Sequence, residues 1–234
     1  MAARPPLVGT RLAAVATVLY FLEWVAIAFL PSVPTDRLGD DPAAVVDVYR
    51  NHAGAVAYAA GWFSFVLLGR ILFAAALRQA FRDSGRQSAL LDFAVAAMAV
   101  SVALEVASFV SAAAAGWLAD AAGNPDVVAG LDAASAVGFV MIFAPVGASV
   151  VAFSAVMLSS GLLPRWIGWL GLAAGALGVL GGVIEAAATG ADGTFHDLGT
   201  IPSGIGAGGL WVWLVATSVV LWRAAPPRQL DSVA

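Results

Sequence analysis

The stretch Phe93-Ala94-Val95-Ala96-Ala97-Met98-Ala99-Val100-Ser101-Val102-Ala103-Leu104-Glu105-Val106-Ala107-Ser108-Phe109-Val110 carries a single ionisable residue, Glu105. It lacks the period-two alternation of a half-buried strand, and its Ala, Leu and Val run is too long for a strand, so it reads as a helix. At a rise of about 1.5 Å per residue, some 20 apolar residues cross the ~30 Å hydrocarbon core of a bilayer. Extended to 89–113, this stretch meets that requirement. Five others do the same, at 12–30, 56–78, 133–158, 166–188 and 205–223. The expected fold is all-α: a polytopic membrane bundle of six transmembrane helices, one integral domain over residues 1–234.

Composition agrees. Hydrophobic residues make up 61% of the chain and charged residues 11%, with a mean hydropathy of +0.91; soluble domains carry about 25% charged residues. The lipid bilayer is therefore the first partner expected. With no Cys in the chain, disulfides, thiolate metal sites and Cys nucleophiles are excluded. The sequence holds no phosphate-binding loop, Gly-x-Ser-x-Gly elbow, His-Glu-x-x-His pair or basic tract. No cofactor, nucleic-acid partner or catalytic constellation is expected, and the chain does not read as an enzyme.

Direction across the membrane follows from arginine. Arg4, Arg11, Arg78, Arg82, Arg86, Arg165, Arg223 and Arg228 fall on one side of the predicted spans, and Arg37 and Arg50 on the other. Cytoplasmic loops are the ones rich in basic residues, so both termini are expected in the cytoplasm, with the chain in a bacterial cell membrane. Trp62, Trp117, Trp211 and Trp213 would mark one interface, and Trp166, Trp169 and Trp222 the other. Arg4 and Arg11 before an apolar run, with Ala26-Ile27-Ala28 after it, have the look of a signal peptide. Glu23 interrupts that run, which is as long as a full span, so the first helix is expected to be retained.

One connection is long: the outer loop 31–55. Within it Asp41 can cap a helix, Pro42 suits the first helical position, and Val45, Val48 and Tyr49 are apolar, so a short helix over Ala43–Asn51 is expected on the outer surface. Gly168, Gly171, Gly175, Gly178 and Gly182 repeat at spacings of three and four, which places them on one stripe of the fifth span. Small residues let membrane helices approach closely, so that stripe predicts burial against a neighbour. Gly204, Gly206, Gly208 and Gly209 predict a turn at the start of the sixth span. Pro145, lacking the N–H that would bond Met141, predicts a kink in the fourth.

Ionisable groups inside a bilayer cost about 2.5–3.5 kcal/mol each and mark function by default. Glu23, Glu105 and Glu185 fall in the first, third and fifth spans, at intervals of 82 and 80 residues, which hints at three repeated hairpins. Arg70 is the one cation inside a span. Its guanidinium keeps its charge and needs a carboxylate, with Glu105 in reach from one direction and Asp92 from the other. Either it forms a structural ion pair, or the unpaired glutamates line a cavity for a cation or proton. Glu185, near the outer end of its span, reads as the one most exposed to water. His52 and His196, with Asp47, Asp192 and Asp197, read as solvated loop residues rather than a metal site, because their spacing matches no ligand pattern.

The segment Leu163-Pro164-Arg165-Trp166-Ile167-Gly168, within Ser159–Leu172, resembles the hairpin between helices four and five of a bacterial family of six-helix membrane proteins described as a domain of unknown function. Asp47–Phe65 is similar in character to the segment before its second helix, and the spacing of spans agrees over nearly the whole chain. The resemblance implies the six-helix fold and no established activity; Arg70 and Glu105 match no motif of that family. The function expected from the residues is binding or translocation of a small solute or proton through an outward-facing cavity built on Glu23, Arg70, Glu105 and Glu185. The alternative is a non-catalytic membrane subunit or regulatory protein with a structural Arg70–carboxylate pair, working with a protein partner the sequence does not identify.

Overall fold

A computed structural model describes residues 7–24, 41–188 and 194–224. Its helices are α1 (Leu7–Phe21), α2 (Pro42–Val66), α3 (Leu68–Asp83), α4 (Ala89–Asp120), α5 (Pro125–Met141), α6 (Phe143–Ser160), α7 (Arg165–Ala188) and α8 (Thr194–Ala224). No strand occurs among the described residues. Helices α2 and α3 join end to end, as do α5 and α6. Counting each joined pair once, five helical rods are long and apolar enough to cross a membrane, and α1 contributes a shorter apolar helix over Arg11–Phe21. The predicted spans from 56–78 onward lie inside these rods. The later part of the predicted 12–30 span, from residue 25, lies outside the described residues.

Local chemistry sets the ends. The Asp41 carboxylate accepts from the Ala43 N–H at 3.1 Å, Ser88 caps α4 through the Leu90 N–H, and Asn124 caps α5 through the Asp126 N–H ahead of Pro125. Helix α6 stops at Gly161, whose left-handed φ of 66° closes it. Short turns at 84–88, 121–124 and 161–164 force successive rods antiparallel. The start of α1, the end of α3, the α6–α7 turn and the end of α8 therefore share one end of the bundle. There Arg11 lies 5.9 Å from the Trp222 ring, and Arg86 reaches the Ser160 carbonyl.

The surface helix expected over Ala43–Asn51 is not separate. It is the first part of α2, so that α2 and α3 form one 42-residue rod of about 63 Å, twice the hydrocarbon thickness. No proline interrupts 51–56, and the helix continues through Gly54, whose intrinsic cost of about 1 kcal/mol is small beside the packing of α2. Val45, Val46, Tyr49 and Val56 pack on Ala115, Ala119 and Val128 beyond the main core. Residues 42–55 of the predicted loop are thus helical, and 31–40 lie outside the described residues.

Where the sequence predicts a kink at Pro145, the helical hydrogen bonding changes at Ile142, between α5 and α6: its N–H turns to Phe139 at 3.4 Å while its backbone keeps right-handed helical angles. A second break, at Leu67, has no proline to announce it. The glycine stripe is buried as expected: a Cβ on Gly175 would come within 2.7 Å of the Gly147 carbonyl, and one on Gly147 within 2.5 Å of the Gly175 carbonyl. Gly206 and Gly209 form no turn. They lie inside α8 against Gly178 and Ala174, so the glycines there serve a second close helix contact.

Serine and threonine hydroxyls cross between helices, from Thr17 to Ser218 at 2.7 Å and from Ser149 to the Ala94 carbonyl at 2.7 Å. The outward face is apolar instead: Val18, Phe65, Phe93, Val100, Val110, Leu180 and Val183 are exposed. Lipid, which is as apolar as these side chains, is the solvent that suits such a face. Trp117, Trp166, Trp169 and Trp222 are exposed as interface residues would be. Trp213 is not an interface residue. It is fully buried between Phe73 and Phe153, filling the space left by glycines on α7.

Candidate functional site

The first polar group is placed by a glycine beside it. Gly69 lets α1 lie directly against α3, since a Cβ there would sit 2.6 Å from the Ala16 carbonyl and the Tyr20 amide. Arg70, next along, is 3% exposed. Its guanidinium carbon lies 5.4 Å from the centre of the Tyr20 ring, and its Nη2 donates to Glu105 Oε2 in a buried ion pair. Of the two partners open to Arg70, the fold therefore selects Glu105. Asp92 is taken instead by Arg78 at 2.5 Å and Arg82 at 3.3 Å, near the arginine-rich end.

Glu105 sits at the middle of α4, 16 residues from Ala89, or about 24 Å from that end at 1.5 Å per residue. Ile142 is 18 residues from Ser160, about 27 Å by the same measure. The ion pair and the helix break thus stand at a similar depth. Between them lies a cavity of about 310 Å³, lined from α1, α3, α4, α5, α6, α7 and α8 and from the Ile142 break. Its polar side chains are Tyr20, Glu23, Arg70, Glu105 and Trp211; the rest of the wall is aliphatic residues, glycine, Phe139 and Phe143. The Trp211 indole N–H donates to the Tyr20 hydroxyl at 2.9 Å, and the Trp62 indole N–H to the Leu22 carbonyl at 2.9 Å. These two bonds fix the end of α1 and the residues just after it, which carry Glu23.

Glu23 is within Coulombic reach of both Arg70 and Glu105. Its Oε2 is buried with no hydrogen-bond partner, and so is Arg70 Nε. An unsatisfied buried polar atom costs about 1–3 kcal/mol, so both are atoms that a ligand entering the cavity would stabilise.

Three of the four expected site residues, Glu23, Arg70 and Glu105, come together here. Glu185 does not. It is buried, contrary to the water-exposed place expected for it, and accepts from the Ser203 hydroxyl at 3.0 Å. Gly199 crosses close against its side chain, so the α7–α8 contact covers it. The hairpin repeat suggested by the spacing of the glutamates is accordingly not carried into the geometry.

Sequence reading missed Tyr20 and Trp211, whose roles come from helices brought together across 191 positions. It also missed a second buried carboxyl: Asp132 on α5, 5% exposed, receives the Tyr49 hydroxyl at 2.6 Å. Of the candidate metal residues, Asp192 and the side chains of His196 and Asp197 lie outside the described residues. His52 Nδ1 is 2.8 Å from the Val48 carbonyl, one turn back on its own helix, and Asp47 is bonded to Arg50. No group of three metal-ligating side chains occurs among the described residues.

A protein family described as "Domain of unknown function (DUF4386)" matches residues 12–217. No curated protein and no solved structure matches the chain.

Proposed function

The chain belongs to the DUF4386 family, and for it we propose a six-span protein of the bacterial cell membrane that binds or translocates a small solute or proton through its central cavity. The sixth crossing in this reading is the first predicted span, and both termini are cytoplasmic. Of the eight arginines among the described residues, Arg11, Arg78, Arg82, Arg86, Arg165 and Arg223 stand toward one end of the bundle, which supports that direction. The reading is of binding and passage, without covalent chemistry.

The observation that carries the proposal is the division of labour in the cavity wall. Arg70 and Glu105 satisfy each other's charge, while Glu23 keeps a buried oxygen without a partner. Tyr20 bonds the Glu23 carboxyl, which leaves that second oxygen for a ligand. Residues from every rod reach the cavity, so a change there can be felt by the whole bundle, as alternating access needs.

A second reading is favoured by the same ion pair: a membrane subunit whose only intramembrane cation is structural. The two are separated by flux. Chain reconstituted into liposomes loaded with a pH-sensitive dye would be held at an inside-negative potassium diffusion potential. The proposal expects faster acidification than in empty vesicles, or uptake from a panel of small labelled solutes, slowed at least tenfold by Glu23→Gln. Wild-type vesicles that match empty ones for protons and for every solute would give the second reading the stronger claim.

A further inference from the structure

We infer that the central cavity takes a monovalent organic cation with an apolar body, of the aryl- or alkyl-ammonium class, in preference to neutral or anionic solutes of the same shape. This rests on the reading of the cavity as a binding site and names the class of ligand it would hold.

Charge comes first. The formally charged groups in the wall are Glu23, Arg70 and Glu105, a net charge of −1. Arg70 keeps an unbonded Nε, but its charge is already matched by Glu105, and an anion drawn to it would meet two carboxylates of the protein. A neutral ligand can at most donate a hydrogen bond to Glu23 Oε2 and leaves the net charge of the wall unbalanced. A single positive charge on the ligand balances the wall.

The rest of the wall selects the body. Apart from the polar side chains, it consists of aliphatic groups, glycine, Phe139 and Phe143, with the Trp211 ring beside them. Aromatic faces attract ammonium groups through their quadrupoles, more strongly when water is excluded. A hydrated metal ion suits this surface poorly: calcium takes six to eight oxygen ligands, and the wall supplies one free carboxylate. A volume of about 310 Å³ lies at the small end of ligand pockets, which favours a compact cation.

The test uses the full chain in detergent with Ala207, in the cavity wall, changed to Cys. Because the native chain has no Cys, a small water-soluble methanethiosulfonate reports that position alone. Three probes of similar size are compared: benzyltrimethylammonium, its neutral isostere neopentylbenzene, and phenylacetate. The inference expects benzyltrimethylammonium to slow labelling at least tenfold and the other two less than twofold. Glu23→Gln should then weaken protection by the cation at least tenfold. Equal protection by neopentylbenzene, protection by phenylacetate alone, or protection that ignores Glu23→Gln overturns the assignment. So does a cysteine that reacts freely and that no probe protects, in which case the cavity reading survives without it. If Ala207→Cys never reacts, the water-accessible cavity fails and the ligand class falls with it. Should Glu23→Gln fail to give folded protein, the three-probe comparison on the chain that retains Glu23 decides.

Discussion

Removing the two partners of the buried ion pair should have unequal costs. Arg70 and Glu105 are each 3% exposed, so each depends on the other for most of the solvation that burial removes. Arg70→Met leaves Glu105 and Glu23 together in an apolar cavity with their shared cation gone. Losing one member of a buried pair typically costs about 3–5 kcal/mol. Glu105→Gln is milder. The Gln carbonyl still accepts an Arg70 N–H, the Tyr20 ring still lies 5.4 Å from the guanidinium carbon, and Glu23 remains within Coulombic reach of Arg70. A cost of about 1–3 kcal/mol is expected there, that of weakening a charged hydrogen bond. The double variant should lie within about 1–2 kcal/mol of wild type, since a buried pair exchanged for neutral groups of similar volume is often close to neutral. The assay is thermal unfolding in one detergent, followed by tryptophan fluorescence. At roughly 2–4 °C per kcal/mol for a chain of this length, Arg70→Met should lower Tm by on the order of 6–20 °C. The reasoning is refuted if Glu105→Gln costs more than Arg70→Met, or if the double variant shows the sum of the two losses instead of a coupling of several kcal/mol.

Other outcomes follow from single contacts. Glu23→Gln should change stability by less than about 1 kcal/mol, because Gln keeps a carbonyl for the Tyr20 hydroxyl and the other carboxylate oxygen has no hydrogen bond to lose; the same melts measure it. Tyr49→Phe removes the 2.6 Å bond to Asp132 and should cost about 1–3 kcal/mol by stranding a buried acceptor, with Asp132→Asn restoring part of the loss. Gly175→Leu places a side chain where even a Cβ falls 2.7 Å from the Gly147 carbonyl. It should destabilise by at least about 1–3 kcal/mol through overpacking, and a milder Gly175→Ala should narrow the cavity and lower ligand binding before it prevents folding.

The rods were legible in the sequence because burial in lipid imposes one requirement on every residue of a span, and Glu105 alone among apolar neighbours stood out against it. The Ile142 break was legible through Pro145, whose missing N–H is a chemical fact of the residue. At Leu67 the backbone keeps right-handed helical angles, so the step from α2 to α3 left nothing in the sequence to read. Glycine was ambiguous: the same residue serves a turn or a close helix contact, so Gly206 and Gly209 read as a turn until α7 was seen beside them. The choice of Glu105 over Asp92 for Arg70 was not legible, because both lie within one side chain's reach along the sequence pattern. It depends on α1 pressing against Gly69 and on Arg78 and Arg82 taking Asp92. Asp132 fell just outside the predicted fourth span, so its burial beneath a helix extended past the bilayer thickness left no trace in hydropathy.

The account turns on Glu23 offering an oxygen to a water-accessible cavity rather than lying in a dry core. Labelling Glu23→Cys in membrane vesicles with a charged, membrane-impermeant methanethiosulfonate tests that directly, with lipid-facing Val100→Cys (52% exposed) as the reference. The account predicts that position 23 reacts at least tenfold faster than position 100, and from one side of the membrane. A cysteine at 23 that is as inert as the one at 100 from both sides would mean a dry core, and would contradict it.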